Sequence, residues 1–466
     1  MDTITHGIAG ALIAKALLRG EDMFGSRARS TSTGEKNGSL RQRDAQTPED
    51  APGRARGPAL EGGPYSISER RVVTWALMLG AIFPDSDVFR DILSHDRLLI
   101  VTWHRSITHS LVLMPLWALS LSWVTHAFAR SSKWHLPAVV SRIRIPGFAI
   151  VVGAMNRWLS KKKEWSSPTL AELAGIYGVG ILSHISLDLV TTFGTMIWSP
   201  LEWSRPAWDM IFIVDFTLSG ILLAPQLLAW IYSQPEKMWT RALRTWLVVL
   251  LAVLVVSRIA EGAGAPISGR TVLGAMLVIT AIFLKPALGG RGLRVRYGAW
   301  NRVGFAATCI YVAMTFFAHR AALARIQKFA ALNHLQVESI GALPLTPSLW
   351  HWDGLVRTER GVYELRMDLS DRSASESQLL MQEHRYFPDA TPNLYIETAR
   401  RLPEVQKVLW FARFPVTRFH KEGEEAVVEV SDLRFARMAS NRPSAFTYRV
   451  RFDAMGTVVS QGWATR

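Results

Sequence analysis

The sequence predicts a mainly α-helical membrane protein, in which a multi-span helical bundle is followed by a small antiparallel, β-rich soluble domain. The chain is 466 residues long, and its mean hydropathy of +0.13 is too high for one ordinary soluble domain of that length. Several apolar runs approach the roughly 20 residues needed to cross a bilayer. Many of the 18 tryptophans flank these runs, as expected for rings that favour the headgroup layer.

The N-terminal part contains two apolar segments separated by a polar one. Residues 3–18 predict a short apolar helix, and the absence of a basic n-region argues against a cleaved signal peptide. Residues 19–70 are rich in Gly, Ser, Arg, Pro and Glu and almost lack aromatic residues, so we expect a flexible basic insert. Residues 71–93 return to a helical pattern, which Pro84 should break or kink.

Six further spans are expected before the soluble domain. Together with the two N-terminal helices they define a membrane-embedded domain over residues 1–18 and 71–329. The fourth run is short and the fifth is marginal for a bilayer of about 30 Å. The runs cover residues 107–128, 171–197, 211–232, 243–258, 271–287 and 303–319.

The C-terminal part, residues 330–466, changes to a different pattern. Hydrophobic and polar residues alternate over residues 362–367, 426–430 and 446–452, with many β-branched and aromatic side chains. Alternation with period two is typical of a half-buried antiparallel sheet. This region therefore predicts a soluble β-rich domain.

The distribution of charge predicts an orientation and a partner. The connections 129–170 and 288–302 are rich in Lys and Arg, and four predicted spans lie between them, so both should be cytoplasmic. The C-terminal domain then lies on the outer, periplasmic side. The net charge of +15 is concentrated in such connections, which favours anionic membrane lipid over nucleic acid as the partner. The single cysteine, Cys309, excludes a disulfide framework and a thiolate metal site.

Polar clusters interrupt the apolar segments at four places. They occupy residues 1–7, 84–87, 104–110 and 184–188, near the ends or breaks of predicted helices. Histidine and aspartate are costly at membrane depth, so such positions indicate function. If the insert 19–70 is cytoplasmic, all four clusters fall toward the outer half of the membrane.

The spacing of His184 and Asp188 indicates a metal site. Residues four apart project from one face of a helix and can share a divalent cation, for which imidazole and carboxylate favour zinc, with manganese or iron also suitable. Asp87 is a further ligand or the general base, and Arg105 would bind an anionic substrate group. Asp209 and Asp215, which lie just before and just inside the start of the span 211–232, would support the site from outside. The candidate metal ligands are His6, Asp85, His104, His109, His184 and Asp188.

Each cluster alone has a plainer structural explanation. A single histidine on an apolar helix is more often a packed core residue, and two aspartates after a proline are often a helix cap or turn. Four clusters that reach a similar depth are harder to explain in that way, which favours one shared polar site.

The same residues resemble the YdjM-type family of bacterial inner-membrane, metal-dependent hydrolases. The matching motifs are MDTITHG at 1–7, GAIFPDSD at 80–87, HRSITHS at 104–110 and HISLD at 184–188, and the likeness covers residues 1–20 and 71–330. The order of His and Asp is also similar to the zinc-dependent phospholipase C and P1-nuclease group. The chain lacks that group's later His-rich helix and its N-terminal Trp, which argues against a full three-metal cluster.

The resemblance and the clusters together predict a membrane-embedded metal-dependent hydrolase. Its substrate would be a phosphate ester or a lipid-like molecule at the outer leaflet, attacked by a metal-activated water. The main alternative is a non-catalytic scaffold or regulatory protein whose soluble domain binds a partner. A transporter ranks third, because the paired broken helices of repeat-built transporters are missing from the sequence.

Overall fold

A computed structural model describes most of the chain. The ranges are 2–17, 67–94, 96, 98–130, 167–262, 268–288, 297–346, 348–370, 383–435 and 446–464. The predicted fold class is confirmed: a helical bundle precedes two small antiparallel sheets. Most of the predicted insert 19–70, and most of the basic connections 129–170 and 288–302, lie outside the described residues.

The helices of the bundle come first, and two short helices then lie between the two groups of strands in the C-terminal region. Among the described residues, 3-10 turns at Phe83–Asp87, Ile107–His109 and Pro235–Lys237 interrupt the bundle. The helices are α1 (Thr3–Leu17), α2 (Ile67–Ile82), α3 (Val88–Ser94), α4 (Leu99–Thr102), α5 (Met114–Arg130), α6 (Leu170–Leu189), α7 (Phe216–Tyr232), α8 (Met238–Gly262), α9 (Gly269–Phe283), α10 (Tyr297–Leu332), α11 (Leu394–Arg401) and α12 (Pro403–Phe411). The strands are β1 (Ser339–Pro344), β2 (His351–Thr358), β3 (Gly361–Asp368), β4 (His384–Pro388), β5 (Pro415–Glu422), β6 (Glu425–Asp432), β7 (Thr447–Phe452) and β8 (Val458–Trp463).

Four helical stretches in the described part are long and apolar enough to cross a membrane. They are Glu69–Arg90, Leu170–Leu189, Pro235–Arg258 and Gly298–Leu332. A fifth candidate is a pair of segments, Leu99–His109 and Met114–Ala129, that meet at a bend of 71°. The run predicted as a straight span over 107–128 is therefore broken at its start.

The helices in the other predicted segments are short, as was predicted for 3–18, and only the helix within 211–232 is clearly shorter than its apolar run. The helices α1, α7 and α9 have 15, 17 and 15 residues, and a helix rises about 1.5 Å per residue. Helix α7 begins only at Phe216 because the Asp215 side chain accepts hydrogen bonds from Thr217 N and Leu218 N, which caps the helix there. Helix α6 ends at Leu189, so residues 190–215 form an irregular segment, here called the connecting loop.

Glycines let α1, α2 and α6 pack closely. A Cβ at Gly180 would lie 2.8 Å from Leu77 O and 3.0 Å from the Gly80 Cα, and a Cβ at Gly10 would lie 2.7 Å from Leu77 O. Gly180 therefore lies at the contact between α2 and α6. Gly175 and Gly178 on the same helix do not, because a Cβ at either position would meet no atom within 4 Å.

The C-terminal region contains two four-stranded sheets, one formed by β1–β4 and one by β5–β8, both in sequential order. The first sheet packs on the end of α10, where Ile326 and Phe329 share a core with Trp352. The second sheet packs against α11 and α12, whose amphipathic sequences supply Ile396 and Val405 to its core. The predicted β-rich domain is confirmed, with two sheets and two helices where one sheet was expected.

The second sheet also contacts the membrane part of the chain. Val101 and Phe193 belong to the same hydrophobic core as its strands. Arg434 donates a hydrogen bond to the backbone oxygen of Thr192 at 3.0 Å, and Arg413 forms two hydrogen bonds with Asp209 at 3.0 and 2.8 Å. The C-terminal region therefore rests on the connecting loop and covers it.

Candidate metal centre

Four side chains from three parts of the chain converge inside the bundle. The 3-10 turn after α2 supplies Asp85, the turn before α5 supplies His109, and α6 supplies His184 and Asp188. One potential ligand atom from each lies within 4.8 Å of the other three, and all four residues are buried. Pro84 starts the turn that carries Asp85, which explains why the helix break and the polar cluster coincide.

The two histidines face each other through their Nε2 atoms, which are 3.1 Å apart. His184 Nδ1 lies 2.7 Å from the carbonyl oxygen of Ala81, a pure acceptor, so Nδ1 carries a proton and Nε2 of the neutral ring has a lone pair. His109 Nδ1 lies 3.1 Å from Thr108 Oγ1. Ligating histidines are usually oriented in this way by a contact of the second ring nitrogen.

The carboxylates approach the same point. Asp188 Oδ2 lies 3.2 Å from His109 Nε2 and 3.3 Å from His184 Nε2, and Asp85 Oδ1 lies 3.8 and 3.5 Å from the same atoms. Two carboxylates directed at the lone pairs of two neutral ring nitrogens repel them unless a proton or a metal cation lies between them. The set of two nitrogens and two carboxylates fits a divalent cation such as zinc.

The other oxygen of Asp188 is held from outside this group. His6 Nε2 lies 3.2 Å and Arg105 Nη2 lies 2.9 Å from Asp188 Oδ1, and the His6 ring stacks on His184 with 3.6 Å between centroids. Arg105 also donates to Thr191 Oγ1 at 3.0 Å. The structure thus brings the predicted ligand His6 to the centre as a neighbour of Asp188, outside the group of four.

Asp87 and His104 form a separate pair at the rim. His104 Nδ1 lies 3.0 Å from Asp87 Oδ1, and Asp87 Oδ2 accepts from Arg105 N at 2.9 Å and from Thr108 Oγ1 at 3.3 Å. The side chains of His104 and Asp87 are 17% and 12% exposed, respectively, so the pair borders solvent. His104, predicted as a ligand, therefore lies beside the group of four, bonded to Asp87.

A strained backbone separates the two neighbouring side chains His104 and Arg105. Arg105 has φ 62°, a left-handed conformation that is unusual for a residue other than glycine, and its carbonyl accepts from Met196 N at 2.9 Å. This conformation sends the Arg105 side chain toward Asp188 while His104 contacts Asp87. Strain of this kind is concentrated at functional sites in proteins.

Asp209 and Asp215 lie outside the group of four and stabilise the segments around the centre. Asp209 pairs with Arg413 of the C-terminal region. Asp215 caps α7 and also accepts from Tyr311 of α10 at 2.7 Å and from Ser348 at 2.5 Å. Both were predicted as supporting residues. Sequence reasoning missed Thr3, whose hydroxyl donates to Asp85 Oδ2 at 2.6 Å, although it lies within the motif of residues 1–7.

Comparison with known proteins identifies one family. The family model described as YdjM inner membrane protein matches residues 56–265. That range includes Asp85, His109, His184 and Asp188 and begins after His6. Searches of curated proteins and of solved structures give no match. Residues 56–265 of this chain are therefore similar to the YdjM inner membrane proteins, as the sequence motifs predicted.

Proposed function

We propose that this protein is a membrane-embedded, metal-dependent hydrolase. The observation that supports the proposal is the buried group of two histidines and two aspartates whose ligand atoms converge within 4.8 Å. A divalent cation held there, with zinc the best fit and manganese or iron suitable, would polarise the substrate and activate a water molecule. The substrate is a phosphate ester or a lipid-like molecule with the same chemistry.

The surrounding residues prepare the ligands for binding. Ala81 O fixes the orientation of the His184 ring, and His6 with Arg105 fixes one oxygen of Asp188. Such support preorganises a site, because the ligands lose little freedom when a cation binds.

The rim pair has a different part in the proposed reaction. Asp87 and His104 are partly exposed and hydrogen-bonded to each other, so they can exchange protons with solvent. We assign to them the acceptance of a proton from the nucleophilic water, which is a common role for a histidine oriented by a carboxylate.

The proposed location is the inner membrane, with the C-terminal region on the outer side. Apolar helices and the similarity to the YdjM inner membrane proteins support the membrane location. The outward side follows from the basic connections 129–170 and 288–302, which the positive-inside rule assigns to the cytoplasm.

Metal analysis of the purified protein tests the centre. The wild type should contain stoichiometric zinc, manganese or iron, and His184→Ala and Asp188→Asn should each lose most of it, since a missing ligand typically lowers affinity by more than about tenfold. The matched control is His420→Ala, which removes a half-exposed histidine of the C-terminal region. His104→Ala should keep its metal if the group of four is the complete ligand set.

The outcomes separate the competing functions. A wild type without stoichiometric metal would favour the scaffold, and metal that persists in both variants would remove the proposed centre. Loss of metal from His104→Ala would add this residue to the ligands, as its sequence motif suggested. Hydrolysis of a chromogenic phosphate ester by the metal-loaded protein, and its loss in His184→Ala, would establish the activity.

A further inference from the structure

Arg205 is a partly buried cation with no carboxylate partner among the described residues. It belongs to the connecting loop, and its Nη2 donates to the backbone oxygens of Val101 and His104 at 3.1 and 2.8 Å. Its Nε and Nη1 are buried and have no hydrogen-bond partner among the described residues. Unsatisfied N–H groups on a buried guanidinium are costly, so their retention indicates a ligand.

Aromatic rings surround this guanidinium. Its carbon lies 5.0 Å from the centroid of the Phe193 ring, 5.3 Å from that of Phe411 and 5.8 Å from that of Trp410. The guanidinium of Arg105 lies against the same Phe193 ring at 5.1 Å. Two positive groups are therefore held around one ring, next to the proposed metal centre.

Two other arginines nearby are neutralised by carboxylates. Arg434 pairs with Asp432 at 2.7 Å, and Arg413 pairs with Asp209 at 2.8 Å. No acidic side chain in the described ranges lies within salt-bridge distance of Arg205. Burial, together with the charges of Arg105 and Arg434, lowers the pKa of Arg205 to about 9. An anion bound next to Arg205 would offset both the cost of burying its charge and the repulsion from Arg105 and Arg434.

The connecting loop is shaped around the Arg205 side chain. Gly194 has φ +84°, and a Cβ there would lie 2.6 Å from Arg205 Cγ. Thr195 N donates to Pro206 O at 3.0 Å, which fixes the two halves of the loop against each other. Thr195 Oγ1 is itself buried without a partner in the described structure. The position of Arg205 is thus set by local backbone geometry.

The charge of the centre also favours an anion. Asp85, Asp87 and Asp188 carry three negative charges, whereas Arg105, Arg205 and one divalent cation would carry four positive charges. With neutral ligating histidines, one positive charge is left over in a site that is largely shielded from water.

We propose that Arg205, together with Arg105, binds the phosphoryl group of the substrate, so that the substrate class is a phosphate ester. The inference rests on the proposed function, because the two arginines would hold the phosphate ester on which the metal centre acts. Guanidinium N–H groups form short, charge-assisted hydrogen bonds with phosphate oxygens and suit this ligand better than an ammonium does.

Titration with inorganic phosphate, followed by calorimetry on the full-length protein in detergent, tests the proposal. The wild type should bind phosphate, and Arg205→Met should weaken binding roughly 10- to 100-fold, as expected for hydrogen bonds to a charged group. Arg205→Lys keeps the positive charge but loses the bidentate guanidinium geometry. Its phosphate affinity should lie between those of the wild type and of Arg205→Met. Arg258→Met is the matched control, because Arg258 is 82% exposed at the end of α8. Metal content and the melting temperature are measured for each variant.

The results distinguish this inference from the proposed function. Wild-type phosphate affinity in Arg205→Met or Arg205→Lys would overturn the inference, as would a metal-loaded wild type that binds no phosphate at millimolar concentration. Phosphate binding that depends on Arg205 in a protein without metal would keep the anion site and remove the hydrolase. Vesicles of phosphatidylcholine with and without phosphatidic acid separate the sources: competition by phosphatidic acid identifies a lipid headgroup, and its absence identifies a soluble ester.

Discussion

The two oxygens of Asp188 illustrate how single residues build the centre. Oδ1 is held by His6 and Arg105, and Oδ2 is directed at His109 and His184. A buried carboxylate is tolerated only when its oxygens are compensated. Oδ2 lies 3.2 Å from His109 Nε2 and 3.3 Å from His184 Nε2, an arrangement that suits the ligands of one metal ion.

Glu364 is a second buried carboxylate, in the first sheet of the C-terminal region. It is 2% exposed, and its Oε2 has no hydrogen-bond partner in the described structure. Burial, reinforced by the charge of Asp353, raises the pKa of Glu364 to about 7. Because the folded protein binds this proton more tightly than the unfolded chain does, the associated stability is present below the unfolded pKa of 4.5 and is lost as the pH rises through about 7.

We therefore predict that Glu364→Gln raises the melting temperature at about pH 8 by a few degrees and leaves it nearly unchanged at about pH 4.5, since the amide needs no proton. Thermal unfolding of the purified protein across this range measures the effect. Glu424→Gln, at an exposed turn between β5 and β6, is the control and should show no such trend. A melting temperature of Glu364→Gln that follows the wild type at every pH would contradict the prediction.

Sequence patterns identified which residues gather at the centre more reliably than which contacts each of these residues makes. The spacing of His184 and Asp188 placed both on one helix face, and their side chains are 3.3 Å apart. The motif of residues 104–110 offered two histidines, and periodicity could not decide which one enters the group of four. That choice depends on the left-handed backbone at Arg105 and on contacts with the distant residue Asp87.

At the scale of elements, the centre depends on the close packing of α2 against α6. Gly180 and Gly80 bring the two helices together, which sets the distance between Asp85, in the turn after α2, and His184 on α6. Their backbones approach closely enough that a side chain at Gly180 would collide with Leu77 O.

We predict that Gly180→Val lowers both metal content and melting temperature, because overpacking costs about 1–3 kcal/mol and displaces the helix that leads to Asp85. Gly178→Val is the matched control on the same helix, since a Cβ there meets no atom within 4 Å. Metal analysis and thermal unfolding are compared between the two variants. Equal metal content in both would show that the helix spacing does not control the centre.

Apolar runs predicted the helices well and their ends less well. The run at 107–128 contains a bend because Ser110 Oγ accepts from Val112 N and Leu113 N and donates to the carbonyl of Ser199. The run at 211–232 starts late because Asp215 caps α7. Both events depend on polar contacts that hydrophobic periodicity does not report.

At the scale of the whole molecule, the bundle and the sheets form one connected structure. Helix α10 runs from the bundle to the first sheet, where Ile326 packs with Trp352. The second sheet covers the connecting loop through Arg434 and Arg413. The two-part organisation was predictable from the change in hydrophobic pattern near residue 330, but this docking was not, because it joins residues more than 200 positions apart.

The proposed orientation leads to a labelling prediction. In a Cys309→Ser background, Met455→Cys should react with a membrane-impermeant maleimide on intact cells, because Met455 is 92% exposed in the C-terminal region. Ser39→Cys, in the insert predicted to be cytoplasmic, should react only after lysis. The reverse pattern would place the C-terminal region in the cytoplasm and invert the charge argument.

The uninterrupted course of α10 has a mechanical consequence. Its 36 residues extend about 54 Å, well beyond a hydrocarbon layer of about 30 Å. The helix is unbroken between its lipid-facing part and the first sheet, so it has no hinge of its own. A tilt that a thinner or thicker bilayer imposes on α10 would therefore be passed to Trp352 and the strands packed around it.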